Sequence, residues 1–492
     1  MTRKQIALLL LISIGAVLVH GYHPAAEDGE LYLPGIKKDL NPALYPFNSQ
    51  FFMSHAHMTL FDELVAATVR LTHLPFDYVI FIWHFACIFL FLLGCWRVAR
   101  ICFRDERAAW GSVALVAALL TIPVAGTALY IMDQYLSPRD LSTAGIMLVL
   151  AEALQGRFVR VVIGILVIAA LHPLMAVFGL ALVLLLYLEE RLPRPTSAEA
   201  KPLTASVLLL VPLLPFLQPV SAVYRRLLHT NDSYFLVVNW PWYEWLGIFV
   251  PLLLLWWTAR YGRKHDLPKV EALSRALIVF GVVFFAAALL FCLPRLAGFA
   301  LLQPMRCLHL IFIVLFIFLG GVLAETVLKS QVWRWLVLVA PLCLLMFVVQ
   351  RQLFPASEHL ELPGRAPRNA WVRAFDWARS HTPSDAIFAL DPDYMNLPGE
   401  DEHGFRAIAE RSTLASIRDN GAVSMFPALA GEWNQQVQAQ QGWRNFQAPD
   451  FQRLRRDYDV TWVVLERRPI PGLVCPYENA VVMVCRLEYS GQ

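Results

Sequence analysis

The chain has 492 residues, of which 58% are hydrophobic, 12% aromatic and only 16% charged. This balance excludes an ordinary soluble globular protein and predicts a polytopic membrane protein. The formal net charge of +3 is close to balance and does not indicate a nucleic-acid partner.

Apolar runs long enough to cross a bilayer predict about eleven transmembrane helices. The run that follows Met1–Lys4 is expected to be an uncleaved first helix, with a cleaved signal peptide as the alternative. The fifth and sixth runs are short and meet at His172-Pro173, so they form either two spans or one broken pair. The predicted spans lie near residues 5–21, 78–98, 108–127, 141–155, 159–172, 173–188, 203–219, 244–259, 274–293, 306–324 and 332–350.

The distribution of basic residues predicts the orientation of these helices. With the N-terminus inside, about eighteen Lys and Arg fall in inside segments and about eight in outside loops, as the positive-inside rule requires. Residues 1–350 then form a helical bundle that includes a long first outside loop at 22–77. Residues 351–492 form a soluble domain on the same outside face.

The C-terminal segment has the pattern of a small α/β domain. The stretch WVRAFDWARSH at 371–381 is helical in its periodicity, and TWVVLE at 461–466 and AVVMVC at 480–485 are typical of strands. Cys475 and Cys485 flank a segment that a β-hairpin can close, which predicts a disulfide in an oxidising exterior. Two buried thiols are the alternative. The predicted fold class is therefore a mainly α transmembrane bundle with a small α/β domain.

Signatures of soluble nucleotide-dependent and hydrolytic enzymes are absent from the sequence. There is no GxxxxGK[ST] loop, no GxGxxG after a strand, no GxSxG elbow and no HExxH helix. Energy coupling through a nucleotide site on this chain is therefore not expected, and any reaction must use an already activated substrate.

Polar residues suited to acid–base chemistry or to phosphate binding concentrate in the predicted outside loops. Carboxylates just above a bilayer and near arginines acquire shifted pKa values suited to a general base, whereas ordinary solvated charges are the alternative. Arginines at outside helix starts favour a phosphate, with orientation of the helix as the alternative. The residues in question are Glu27, Asp28, Glu30, His55, His57, Asp133, Arg139, Asp140, Gln303 and Arg306.

The order of these features resembles the GT-C superfamily of membrane glycosyltransferases. A first helix is followed by an outside loop that opens with the acidic motif AEDGELYLP, then by a many-helix bundle and an outside C-terminal domain. The resemblance is closer to a group of bacterial membrane proteins of uncharacterised activity that are placed with this superfamily. It is carried by short islands over most of the chain: EDGELYLPGIKKDLNPALYP, SPRDLST, LHPL, LQPMRCL, WARSHTPSDAIF and FRAIAERS.

The resemblance implies transfer of a sugar from a polyprenyl-phosphate-linked donor to a glycan, lipid or protein acceptor outside a bacterial inner membrane. It assigns the role of catalytic base to Asp28, with Glu30 second. Some members hold a divalent metal between acids of the first two outside loops, so candidate ligands are Asp28, Asp133, His55 and His57. The alternative for His55 and His57 is an ordinary pair at the membrane interface, and no cofactor is otherwise expected. Candidates for the carrier phosphate are Arg139, Gln303, Arg306 and His172. For His172 the alternative is a structural role, as a neutral histidine hydrogen-bonded to a backbone carbonyl at the proline break.

Two other functions fit the same sequence. A transporter or flippase for a lipid-linked saccharide needs acids inside the spans, and these are few. A non-enzymatic membrane assembly component needs a C-terminal domain that folds and binds a partner by itself.

Overall fold

The computed structural model describes residues 1–191, 221–230 and 233–488. Within them the protein is mainly helical, with a small β-sheet in the C-terminal part, as the sequence predicts. The chain divides into two compact units. The bundle unit comprises Met1–His20, Phe85–Asp133 and Pro138–Met346, and the loop-tail unit comprises Gly21–His84, Gln134–Ser137 and Phe347–Gln492.

Among the described residues, six helices are long and apolar enough to cross a membrane. They are Arg3–His20, Phe76–Cys102, Pro173–Arg191, Pro268–Phe291, Ala297–Leu328 and Val332–Leu353, the fifth of which includes short 3-10 and π turns. Each coincides with a predicted span. These helices give the chain the character of a membrane protein.

Four other predicted spans coincide with helices that are shorter or less apolar. These helices are Glu106–Ala118, Pro138–Leu154, Phe158–Leu171 and Trp242–Lys264. Within the predicted span 108–127, the helix ends at Ala118 and is followed by the strand Pro123–Val124. This strand pairs antiparallel with Leu129–Tyr130. The predicted span 203–219 lies outside the described residues. The structure therefore supports six of the eleven predicted spans by length and hydropathy. Between the helices Pro173–Arg191 and Trp242–Lys264, the described residues form the short helices Ala222–Thr230, Ser233–Phe235 and Val237–Asn239.

The loop-tail unit contains eight α-helices within its described residues. They are Gly29–Leu40, Gln50–Ala56, Phe61–Thr72, Ala370–His381, Phe405–Ala409, Asn420–Met425, Ala430–Ala439 and Ala448–Tyr458. Helix Gly29–Leu40 carries Glu30 in its first turn and Lys37 and Lys38 in its last, which matches the helix dipole. Asn369 caps the start of the helix Ala370–His381, where its side chain accepts a hydrogen bond from the Trp371 N–H at 2.8 Å.

The sheet of the loop-tail unit has five strands. Their spatial order is Ser412–Thr413, Ile387–Ala389, Trp462–Glu466, Val482–Arg486 and Val474–Glu478. The first two pairings are parallel and the last two antiparallel. The first four residues of Trp462–Glu466 are all buried, as expected of a central strand covered on both faces.

The sheet separates two hydrophobic cores. Trp462 and Val464 pack on one side with the helix Ala370–His381, whereas Val463 and Leu465 pack on the other with the helix Ala448–Tyr458. This alternation follows from the two-residue period of a strand. A disulfide joins Cys475 to Cys485 across the last two strands.

The two compact units divide the chain differently from the predicted boundary at residue 350. The sequence assigned the first outside loop to the bundle, but Gly21–His84 belongs to the same unit as the C-terminal segment. The reason is a set of backbone pairings and buried ion pairs between these distant parts of the chain, which hydropathy does not reveal.

Candidate functional site

The segment that carries the acidic motif is held by backbone hydrogen bonds on two sides. The N–H of Tyr22 donates to the carbonyl of His359, and the N–H of Glu361 donates back to Tyr22, both at 3.0 Å. The N–H of Glu27 donates to Glu402 at 2.9 Å, next to an isolated β-bridge between Ala26 and His403. Residues 22–27 therefore lie between two stretches of the C-terminal segment, which fixes the start of the motif.

Asp28 and Glu27 face the same guanidinium. Arg418 lies 3.4 Å from the carboxylate of Asp28 and 3.8 Å from that of Glu27. Burial acts to lower the pKa of Arg418, but the negative charges of Asp28 and Glu27 outweigh it, so the pKa of Arg418 is raised overall. The Asp28 side chain keeps 31% of its surface exposed. Asp28 is thus an accessible carboxylate with a cation beside it, an arrangement that can take a proton and bind an anion.

Glu30 has different surroundings from Asp28, although it is only two residues away. The Oε1 of Glu30 accepts hydrogen bonds from the backbone N–H of Arg406 at 3.2 Å and from the Arg406 Nε at 2.7 Å. The Oε2 of Glu30 accepts a hydrogen bond from the N–H of Ala407 at 3.0 Å. Arg406 also pairs with the buried Asp419. The geometry therefore gives Glu30 a place in a buried ion network, and it gives Glu27, rather than Glu30, a place beside Asp28.

The network requires very close approach of two backbones. A Cβ added to Gly404 would lie 2.9 Å from the Cα of Glu30 and 2.3 Å from its Oε2. Burial raises the pKa of Glu30, while Arg406 acts in the opposite direction. The absence of a side chain at Gly404 thus allows the helix Gly29–Leu40 to reach Arg406.

Three further side chains converge within the loop-tail unit. The Oε1 of Glu361 lies 3.1 Å from the Nδ1 of His23 and 2.8 Å from the Nε2 of His403. Burial acts to raise the pKa of Glu361, but His403 and His23 outweigh burial and lower it to about 2. Burial acts to lower the pKa of His403, but Glu361 outweighs burial and raises it. Among the described residues this is the one group of three or more His, Cys, Asp or Glu side chains arranged to hold a metal ion.

The metal ligands predicted from the sequence do not belong to this group. His55 packs its ring against Phe426 with centroids 5.4 Å apart, and His57 is exposed at the end of the helix Gln50–Ala56. Asp133 forms an ion pair with Arg139. Asp28 pairs with Arg418, as described above.

A cavity of about 320 Å³ opens beside the triad. Glu361 contributes to its wall and keeps 17% of its side-chain surface exposed. The other charged residues of the wall are Lys37, Asp77, Glu358, Arg365, Asp376 and Arg379. The cavity therefore offers both signs of charge to a ligand.

In the bundle unit, Arg139 is buried at the start of the helix Pro138–Leu154. Its ion pair with Asp133 is supported by the backbone N–H of Asp133, which donates to Asp140 Oδ1 at 3.3 Å. A phosphate bound by Arg139 would therefore share the guanidinium with Asp133.

Gln303 and Arg306 lie where the helix Cys307–Leu323 begins, as predicted. Gln303 adopts a left-handed backbone conformation with φ 45°. Both Arg306 and Arg139 are within electrostatic reach of His309, whose Nε2 lies 2.9 Å from the carbonyl oxygen of Ile131. The two candidate phosphate-binding arginines thus both act on His309 in the bundle unit.

His172 occupies the break between the helices Phe158–Leu171 and Pro173–Arg191. Its Nδ1 accepts a hydrogen bond from the N–H of Met175 at 3.4 Å, so its side chain caps the second helix. The sequence offered a hydrogen bond to a backbone carbonyl as the structural alternative for His172, whereas the contact found here is to a backbone N–H.

Sequence reasoning missed His23, Glu361, His403, Arg406 and Arg418. His23 lies four residues before Glu27 of the acidic motif, and His403 follows directly on a second acidic run in EDEH, so histidine close to acids was a visible signal. Glu361 carries no such signal. Its partner His23 is 338 residues away along the chain, and only the fold joins them.

Comparison with protein-family models found no match for this chain, and comparison with curated proteins found none either. The functional assignment therefore depends on the site residues themselves.

Proposed function

We propose that this protein is a membrane glycosyltransferase of the GT-C type. It moves a sugar from a polyprenyl-phosphate-linked donor to an acceptor hydroxyl on the extracytoplasmic face of the inner membrane. The observation that carries the proposal is Asp28, an accessible carboxylate 3.4 Å from Arg418 in the segment that directly follows the first apolar helix. That position in the chain is where the resemblance to the superfamily assigns the base.

In the proposed reaction, Asp28 accepts the proton of the acceptor hydroxyl. The acceptor oxygen forms a bond to the anomeric carbon of the sugar, and the bond from that carbon to the phosphate oxygen breaks. The polyprenyl phosphate leaves with the bonding electrons. Proton transfer by a positioned side chain contributes about 10²–10⁴-fold to such rates.

The other residues have supporting roles in this proposal. Arg418 orients the carboxylate of Asp28 through their contact at 3.4 Å. The carrier phosphate is assigned to Arg139, Gln303 and Arg306, which lie at helix starts where anions are favoured. With the N-terminus in the cytoplasm, the loop-tail unit is periplasmic.

The test is sugar transfer by the Asp28→Asn variant in proteoliposomes. A panel of polyprenyl-phosphate-linked sugars serves as donors, and released polyprenyl phosphate is measured by mass spectrometry. We expect Asp28→Asn to insert and purify normally and to lose about 10²-fold or more in rate, because the amide cannot accept the proton.

The matched control is Asp385→Asn, which removes an exposed carboxylate elsewhere in the same unit. It should retain the wild-type rate. Full transfer by Asp28→Asn, or no release of polyprenyl phosphate by the wild-type protein from any donor of the panel, would remove the proposal.

A further inference from the structure

We propose that His23, Glu361 and His403 form a binding site for a divalent transition-metal ion of the zinc class. This inference is independent of the proposed transferase activity, and it differs from the ligand set that the sequence predicts. Two imidazoles and one carboxylate are ligand types that zinc prefers in proteins.

The distances among the three side chains suit such an ion. One potential ligand atom from each residue lies within 4.8 Å of those of the other two. Ligands about 2.0–2.1 Å from a tetrahedral zinc ion are separated from one another by roughly 3.3 Å. The contacts of 3.1 Å from Glu361 to His23 and 2.8 Å from Glu361 to His403 therefore need to open by only a few tenths of an ångström.

The surroundings of His403 select the nitrogen that would bind the ion. Its Nδ1 lies 3.0 Å from the backbone carbonyl of Glu400, which can only accept a hydrogen bond, so Nδ1 carries a proton. Its Nε2 faces the carboxylate of Glu361 at 2.8 Å, and this is the nitrogen from which a metal ion would displace a proton. A metal-bound histidine commonly donates its other N–H to a carbonyl in this way.

The second histidine is also held in place before any ion binds. His23 is buried and stacks on Phe354 with ring centroids 3.8 Å apart and planes inclined by 15°. Backbone hydrogen bonds fix its neighbours Tyr22 and Ala25 to residues 359 and 404. The ligands therefore come from three chain segments whose relative positions the backbone already sets, which lowers the entropic cost of binding.

The cavity beside the triad provides a route for the ion and room for a fourth ligand. Glu361 lines this cavity of about 320 Å³, whereas both histidines are buried. Three protein ligands with one position open to a cavity are typical of zinc sites that bind water or a substrate. A structural zinc site would have four protein ligands instead.

The test is metal binding by the full-length protein in detergent, with any affinity tag removed and bound metals stripped by a chelator. Zinc stoichiometry is measured by mass spectrometry of the metal, and affinity by competition with a chromophoric chelator. We expect one zinc ion per chain. Glu361→Gln, which preserves size and removes charge, and His403→Gln should each weaken binding by at least about 100-fold.

The matched control is the double variant His55→Gln and His57→Gln, which removes the histidine pair that the sequence offered as candidate ligands. It should bind zinc like the wild-type protein. Failure of the wild-type protein to bind a stoichiometric ion, or wild-type affinity in both Glu361→Gln and His403→Gln, would overturn the proposal.

A measurement on the wild-type protein alone covers the case in which those variants do not fold. X-ray absorption at the zinc edge reports the first coordination shell, and we expect two imidazole nitrogens together with oxygen. A shell with sulfur, or with oxygen alone, would place the ion elsewhere and refute the assignment.

Discussion

Asp28 and Glu30 are two residues apart in the acidic motif, and the fold uses them in opposite ways. Asp28 keeps about a third of its side chain exposed beside Arg418. Both carboxylate oxygens of Glu30 accept hydrogen bonds from buried groups, and its side chain is only 2% exposed. The two acids should therefore respond differently to loss of charge, one in activity and the other in stability.

We predict that Glu30→Gln destabilises the protein by about 3–5 kcal/mol, the cost typical of removing one partner from a buried ion pair. Arg406 would keep Asp419 but lose the carboxylate that binds its Nε. The measurement is the apparent melting temperature in detergent, followed by tryptophan fluorescence. Asp28→Asn should melt close to the wild-type temperature, and a Glu30→Gln protein that also did so would contradict the structural role of Glu30.

At the scale of elements, two helices of the first loop meet at Gly35 and Asp62. A Cβ on Gly35 would lie 2.3 Å from the Oδ2 of Asp62, so the glycine lets the helix Phe61–Thr72 approach the helix Gly29–Leu40. Asp62 is buried at this contact. Burial, with added repulsion from Asp39 and Glu63, raises the pKa of Asp62 to about 8.

This shift predicts a pH dependence of stability with a definite sign. An unfolded Asp has a pKa of about 3.9, so between about pH 4 and pH 8 the folded chain holds a proton that the unfolded chain has lost. The contribution of Asp62 is therefore fully present below about pH 4 and is lost as the pH rises through about 8, at a cost of up to about 6 kcal/mol.

Asp62→Asn tests this dependence, because an amide resembles the protonated acid and does not ionise. We expect the variant to melt like the wild-type protein at pH 4 and at a higher temperature than the wild-type protein at pH 9. Asp385→Asn, an exposed substitution, should show no such difference. An equal effect of Asp62→Asn at both pH values would rule out the shifted pKa.

At the scale of the whole molecule, the C-terminal segment shares buried polar contacts with the first loop. Lys37 Nζ donates to the carbonyl of Ala407 at 2.7 Å and pairs with Glu410 at 2.8 Å. Asn48 Nδ2 donates to the carbonyl of Thr413 at 2.8 Å. These contacts lie beside the Glu30 network, so removal of the first loop would leave several buried polar groups of the C-terminal segment without their partners.

We predict that residues 351–492 expressed alone do not form a cooperatively folded domain. Coexpression with residues 21–77 should yield a soluble complex, detected by size-exclusion chromatography and by a cooperative thermal transition. A first-loop fragment with Glu30→Gln is the matched control and should rescue poorly. An isolated tail with a cooperative transition would contradict this dependence and would favour the assembly-component alternative.

The apolar helices and the tail strands show which structures the local sequence pattern predicts correctly. The run IFIVLFIFLGGVL within Cys307–Leu323 predicts a span, because hydropathy is a property of neighbouring residues. The strand Trp462–Glu466 was equally visible, since β-branched and aromatic residues cluster there. The prediction was weaker at 108–127, where the apolar run continues past Ala118 into a strand pair. Apolar composition alone does not distinguish those two structures.

The sequence by itself determined that this is a membrane protein, where its apolar helices lie and that the tail has an α/β pattern. It also marked Asp28 as the first candidate for a catalytic base. Only the tertiary structure decided that Glu30 is a structural acid, because its partner Arg406 is 376 residues away. The same holds for the grouping of His23, Glu361 and His403. Propensity and hydropathy act over a few residues, whereas an ion pair or a ligand set depends on which distant segments the fold brings within about 3 Å.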